Sequence, residues 1–112
     1  QQGNLEEAAH CYEEALVISP KNSQVWRALG DTYIAAQEWA DAIRALTHTL
    51  ELKPNVSDAW NVHQVIARLY SQIGDAEQAL FHAQRALGLA PENQQEMLQD
   101  LVVQIESLRE TP

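Results

Sequence analysis

Apolar side chains recur along this chain with the spacing of one helix face. Between residues 23 and 36 the recurring apolar positions are Val25, Trp26, Leu29, Tyr33 and Ile34. Positions i, i+3, i+4 and i+7 lie on one side of an α-helix, so each stripe can be buried while the opposite face stays in water. The pattern predicts helices at roughly 4–18, 24–36, 39–52, 58–72, 76–89 and 94–112.

Polar residues and prolines indicate where these helices begin and end. Asn4-x-x-Glu7 and Asp75-x-x-Gln78 match the capping box, in which a polar residue and a Glu or Gln three positions later satisfy the first backbone N–H groups. They predict helix starts just after glycines 3 and 74. On this prediction Gln1 and Gln2 are the last residues of a preceding inner helix.

An internal repeat organises the sequence. Pro20, Pro54 and Pro91 are 34 and 37 residues apart, and an alanine lies twelve residues before each of them. A period near 34 is typical of stacked helical repeats. The middle unit reads Trp26-x-x-Leu29-Gly30-x-x-Tyr33, then Ala42-x-x-x-Leu46, then Pro54.

These residues resemble the tetratricopeptide repeat family, with one departure at Leu46, where an aromatic residue is usual. The resemblance implies an all-α fold, a right-handed α-solenoid of antiparallel helix pairs that ends in a capping helix. The predicted units are 1–22 (the second helix of a truncated first repeat), 23–56 (a complete repeat), 57–93 (a longer repeat) and 94–112 (the capping helix).

The third unit is three residues longer than the second. His63 lies in the position where the repeat has a tryptophan, and Trp60 lies three residues earlier on the same helical face. The extra residues lengthen either the first helix of the unit or the loop between Pro54 and His63. The sequence leaves both alternatives open.

Charge and cysteine content exclude several classes of function. The chain has 112 residues, a net charge of -9 and one cysteine, Cys11. A single thiol excludes an intramolecular disulfide framework and a multi-thiolate zinc site. The excess of acid argues against binding to nucleic acid or to anionic lipid, and no apolar run is long enough to span a membrane. Scarce cysteine is compatible with a cytoplasmic protein, which is the compartment we expect.

The sequence shows no arrangement of catalytic or metal-binding residues. Cys11 directly follows His10, and adjacent residues on a helix point about 100° apart, so the two do not form a prearranged dyad. The four histidines lie on four different predicted helices without metal-ligand spacing. We therefore predict a protein that is not an enzyme and has no catalytic residue, cofactor or metal ion.

The family resemblance implies that the first helix of each pair lines a concave surface that binds a peptide or a partner helix. The polar positions expected to face it are Gln24, Arg27, Asp31, Asn61, Gln64, Arg68 and Gln72. The two arginines are suited to a carboxylate or phosphate on the partner. Alternatively, Arg27 pairs with Asp31 at i, i+4 and both residues serve only to solvate the surface.

The expected function is that of a non-catalytic scaffold that binds a protein or peptide partner in this groove. Two alternatives are a structural or self-assembly segment and a regulatory arm of a larger multidomain enzyme. Helix 4–18 carries apolar residues, among them Leu5 and Tyr12, that should pack on an earlier helix. We therefore also predict a tendency to self-associate through helix 4–18.

Overall fold

The computed structural model describes residues 2–110, and it describes side chains from residue 3 onwards. The chain divides into two compact units, with the boundary between Pro54 and Asn55. The regular structure of residues 2–110 consists of six α-helices and one 3₁₀ turn, which confirms the predicted all-α class. No helix among these residues combines the length and the apolar character needed to cross a bilayer. The predicted repeat boundaries remain predictions.

Unit 1 contains three helices: α1 (Gln2–Ile18), α2 (Ser23–Ala35) and α3 (Trp39–Leu52). The last two begin and end within one residue of their predicted bounds. The predicted start of α1 is wrong, because Gln2 and Gly3 are already helical and Asn4 is therefore not its N-cap. A glycine in the first turn costs a helix only about 1 kcal/mol, so Gly3 does not prevent the helix from extending past it. Gln2 thus belongs to α1 rather than to a preceding helix, and Gln1 lies outside the described residues.

Local hydrogen bonds fix the beginning of α2. The Asn22 side chain accepts a hydrogen bond from the backbone N–H of Val25, which satisfies one of the free donors at the helix start. The Trp26 indole donates to the backbone carbonyl of Pro20 at 2.8 Å. Together these bonds hold the connection from α1 against the first turn of α2.

The core of unit 1 lies mainly between α2 and α3, which pack against each other and are joined by three residues. Its buried apolar side chains are Leu16, Leu29, Tyr33, Ala42, Ile43, Ala45, Leu46 and Leu50. Gly30 lies directly against Leu46, and a Cβ atom at position 30 would come within 2.8 Å of that side chain. The absence of a side chain at position 30 therefore leaves the space that Leu46 occupies.

Unit 2 contains α4 (Ala59–Gln72), α5 (Ala76–Leu89), a 3₁₀ turn (Glu92–Gln94) and α6 (Gln95–Glu110). The predicted cap at Asp75 is confirmed, since its side chain accepts from the Gln78 backbone N–H at 3.1 Å. The predicted helix 94–112 begins one residue later than expected, because the chain passes through the 3₁₀ turn after Pro91. Residues 111 and 112 lie outside the described residues.

The three extra residues of the third predicted unit are shared between a loop and a helix. Residues 53–58 connect α3 to α4, two residues more than the connection 19–22 that precedes α2. Helix α4 has 14 residues, one more than the 13 of α2. Asp58 is the N-cap of α4 rather than its first helical residue. The loop therefore takes most of the extension.

Helix α6 covers the core of unit 2 with one apolar stripe. Leu98, Leu101 and Ile105 are buried in a cluster with residues of α4 and α5. The stripe does not continue to Leu108, which is 54% exposed. The Gln95 side chain donates to the carbonyls of Leu87 and Ala90 and so satisfies acceptors at the end of α5.

Candidate functional site

Three of the predicted site residues on α4 form a hydrogen-bonded row. The Gln64 side-chain amide donates to Oδ1 of Asn61 at 2.8 Å. Arg68 Nε donates to Oε1 of Gln64 at 3.1 Å, and Arg68 Nη2 donates to the sulfur of Met97 on α6 at 3.7 Å. Because each side chain restricts the next, the exposed guanidinium is held across the space between α4 and α6.

Two adjoining depressions lie at the Arg68 end of this row and define the α4–α6 groove, whose walls include Arg68 but not Asn61 or Gln64. The first has a volume of about 480 Å³ and the second of about 350 Å³, and Arg68, Leu101 and Gln104 line both. The walls also include Ser71 and Gln72 on α4, and Glu96, Met97 and Asp100 on α6. Three predicted residues thus form a row on α4, and Gln72 lines the second depression.

Polar groups in the groove differ in whether they have a hydrogen-bond partner within the described residues. The buried hydroxyl oxygen of Ser71 has no hydrogen-bond partner within the described part of the chain. Glu96 and Asp100, which the sequence analysis did not single out, are four residues apart on α6 and line the depression that also contains Arg68. The groove therefore offers one cation, two carboxylates and several uncharged hydrogen-bonding groups above an apolar base.

The other predicted site residues belong to unit 1. Gln24 and Asp31 are exposed on α2, and Arg27 is partly buried between them. Desolvation raises the pKa of the Asp31 carboxyl, while the positive charge of Arg27 acts in the opposite direction. This interaction agrees with the alternative in which Arg27 and Asp31 act on each other across one helical turn.

A pair of histidines in unit 2 was missed by the sequence analysis. His63 on α4 and His82 on α5 face each other with 3.0 Å between their Nδ1 atoms, a distance at which one ring donates a hydrogen bond to the other. The alignment of the repeats contained a signal for this pair. That signal is limited to His63, which lies 37 residues after Trp26 and so occupies the tryptophan position of the repeat.

Both rings are neutral at neutral pH because of their surroundings. Burial first, and then the neighbouring His63 and Arg85, together lower the pKa of His82 to about 4. Burial and Arg85 also lower the pKa of His63. Tyr70 stacks on His82 at 5.7 Å between ring centroids, so the pair is part of the packing between α4 and α5.

The remaining candidate chemistry does not converge on a site. His10 faces Glu14 one turn further along α1, at 3.6 Å, and Cys11 is exposed. In the part of the chain that the structure describes, no three His, Cys, Asp or Glu side chains are grouped as metal ligands would be.

Comparison with known proteins places the repeat pattern in a family. Two family models, each described as a tetratricopeptide repeat, match residues 1–69 and 61–93. The chain is 32% identical over 77 residues to Superkiller protein 3 of Schizosaccharomyces pombe and 29% identical over 82 residues to an inactive TPR repeat-containing thioredoxin of Arabidopsis thaliana. These matches cover 69% and 73% of this chain but only 5% and 11% of the relatives, so the chain spans a small part of their length.

Solved structures support the same assignment at the level of the fold. The crystal structure of MamA superposes with a TM-score of 0.71 at 19% identity, covering 95% of this chain and 63% of that one. A thermophilic TPR protein of Thermus thermophilus superposes with a TM-score of 0.67 at 25% identity, covering 96% and 50%. These neighbours confirm the all-α solenoid class. The chain belongs to the tetratricopeptide repeat family, whose repeats generally mediate protein–protein interaction and whose members are generally non-catalytic scaffolds.

Proposed function

We propose that this chain is a non-catalytic protein-interaction module and that its α4–α6 groove binds a segment of a partner protein. The observation that carries this proposal is the row Asn61–Gln64–Arg68, which holds Arg68 in one wall of the groove, where it reaches Met97 in the other. Side chains already held by hydrogen bonds lose less conformational entropy when a partner binds. The row is therefore better prepared for binding than separate exposed side chains would be.

The groove has a complementary group for each part of a peptide. Arg68 and the amides of Gln72 and Gln104 can donate hydrogen bonds to backbone carbonyls of the partner. Met97 and Leu101 form an apolar surface for one of its side chains. Glu96 and Asp100 favour a lysine or arginine beside that side chain and disfavour a phosphate, because like charges repel.

The effect of substituting Arg68 on peptide affinity tests this proposal directly. Peptides selected from a displayed random library for binding to the wild-type chain should lose about tenfold or more in affinity for Arg68→Ala, because an interface arginine is often a dominant contact. The measurement is fluorescence anisotropy of each selected peptide after synthesis. Arg68 is exposed, so the variant should fold normally.

Arg85→Ala is the matched control, since Arg85 is an exposed arginine of the same unit that lies on α5 outside the groove. Selected peptides should bind this variant as they bind the wild type. If they bind Arg68→Ala equally well, or if both arginine variants weaken binding to the same extent, the α4–α6 groove is not the binding site.

A further inference from the structure

Unit 1 has a second groove, formed by helices that contain none of the residues in the α4–α6 groove. Two depressions of about 290 and 260 Å³ share Glu13 and Tyr33 in their walls. We call them together the α1–α3 groove. Its walls include Leu5, Glu13 and Val17 on α1, Tyr33 on α2, and Asp41 and Arg44 on α3.

The base of this groove is apolar. Leu16, Leu29 and Tyr33 lie at its bottom with little exposure, and Trp26 adds the face of an indole ring. At one end Val17 is 83% exposed although it lines the groove. An exposed valine beside a partly open apolar depression is a surface that gains free energy when another apolar side chain covers it.

The rim of the groove is acidic. Glu6, Glu13, Glu38 and Asp41 line the depression nearer the start of α1, which has no basic side chain in its wall. Arg44 lines the other depression, but its Nη2 atom is already paired with Oδ1 of Asp41 at 3.1 Å. The Tyr33 hydroxyl donates to Glu13 at 2.5 Å, and its pKa is raised to about 12 by burial first and then by Glu13 and Asp41. The groove therefore combines an apolar base with a net negative rim.

From this combination we infer that the α1–α3 groove is a second docking surface, which binds a short basic amphipathic segment of a partner protein. Apolar side chains of the segment enter the two depressions, and its lysines or arginines lie beside Glu6 and Glu38. From Leu5 to Val17 the groove follows α1 for about 18 Å, which is the length of three helical turns. A partner helix of about twelve residues therefore matches its length.

At low ionic strength, the charges of the chain argue against a second copy as the occupant of this groove. The sequence contains 16 acidic and 7 basic residues, and α1 alone carries four glutamates and no lysine or arginine. A second copy that placed its α1 in this groove would bring carboxylates against Glu6 and Asp41. A basic segment removes that repulsion and adds attraction at each contact.

A designed peptide tests the inference without knowledge of the natural partner. The probe is a labelled twelve-residue helix of leucine and lysine with its leucines on one face, and the matched probe carries glutamate in place of lysine. We expect the lysine peptide to bind and the glutamate peptide not to bind. Amide chemical-shift changes in a ¹⁵N-labelled sample of the full chain should be concentrated in α1 and α3.

Two double variants separate docking in the groove from general charge attraction. Glu6→Lys with Glu38→Lys reverses two exposed rim charges and should lower the affinity for the lysine peptide about tenfold or more. Glu7→Lys with Glu14→Lys makes the same change in net charge on α1 outside the groove walls and should have a much smaller effect. Val17→Ser should also weaken binding, whereas Val103→Ser, at an exposed valine of α6, should not.

Three results would overturn the inference. The first is an equal loss of affinity in the two double variants, which would show attraction to the net charge alone. The second is a set of chemical-shift changes centred on α4 and α6. The third is concentration-dependent dimerisation at low salt that excludes the lysine peptide, because a second copy would then occupy the surface. None of these results depends on whether the α4–α6 groove binds its own peptide.

Discussion

At the scale of single residues, the close contact between Gly30 and Leu46 should make stability sensitive to a single methyl group added at position 30. We predict that Gly30→Ala lowers the free energy of unfolding by about 1–2 kcal/mol, because a Cβ atom would lie 2.8 Å from the buried Leu46 side chain. The greater helix propensity of alanine offsets only part of this cost. Urea denaturation monitored by circular dichroism gives the change.

The control for this prediction is Gly88→Ala in α5. No atom lies within 4 Å of a Cβ at that position, so the substitution should stabilise the chain by about 0.5 kcal/mol through helix propensity alone. Unit 2 supplies a second comparison, because its equivalent positions are Ala67 and Ala83, both fully buried. If Gly30→Ala stabilises the protein as Gly88→Ala does, the close contact does not constrain the packing of α2 on α3.

At the scale of helices, the histidine pair makes the packing of α4 on α5 dependent on pH. The unfolded chain takes up a proton on each histidine near pH 6.5, whereas folded His82 does so only at about 4. Between these values the unfolded state binds more protons, so stability falls as the pH is lowered. His82 alone corresponds to a loss of about 2 kcal/mol between pH 7 and pH 5, and because solvent screens this partly buried pair we expect about 1 kcal/mol.

His82→Gln isolates the contribution of the pair, because the glutamine amide can donate to His63 and does not titrate in this range. Unfolding by urea at several pH values should show a flatter profile for this variant than for the wild type. His10→Gln, which removes an exposed histidine on α1 outside the α4–α5 packing, is the control for the loss of one histidine. A His82→Gln profile as steep as that of the wild type would show that the pair does not link stability to pH.

The helices also show what the sequence can and cannot predict. Periodicity and prolines place α3 and α5 at their observed bounds, because local apolar spacing determines which face of each helix is buried. The same pattern identifies the row on α4, whose residues flank a buried stripe. It cannot identify Glu96 and Asp100, because they are about thirty residues from Arg68 in sequence. Their position in the same depression depends on how α4, α5 and α6 pack together. The pairing of His63 with His82 escapes a local pattern for the same reason.

Helix starts are predicted less well than helix faces. Asn4 and Asp75 carry the same capping pattern, yet only Asp75 caps a helix. The difference lies in the preceding glycine: Gly74 has a φ of 86° and interrupts the helical path before Asp75, whereas Gly3 is helical. A capping pattern therefore becomes reliable only when the backbone before it leaves the helix.

At the scale of the whole molecule, the net charge of -9 acts on every encounter of the chain with another copy of itself. Repulsion between acidic surfaces opposes contact at low ionic strength, and salt screens it over about 10 Å at 0.1 M. The exposed apolar side chains at the end of α1, Val17 and Ile18, favour contact instead. The balance between the two effects determines the oligomeric state, so ionic strength becomes the variable to change.

We predict that self-association through helix 4–18 is weak at low salt and becomes stronger at high salt, because screening removes repulsion while apolar contact remains. Sedimentation velocity over a range of protein concentrations measures it. Val17→Glu with Ile18→Glu should abolish the association, since these side chains are 83% and 84% exposed and their substitution leaves the core intact. Val103→Glu on α6 adds a charge at another exposed valine and should reduce it only slightly. A monomer mass that stays constant with concentration at both salt levels would show that α1 does not mediate self-association, and the apolar end of that helix would then serve a different partner.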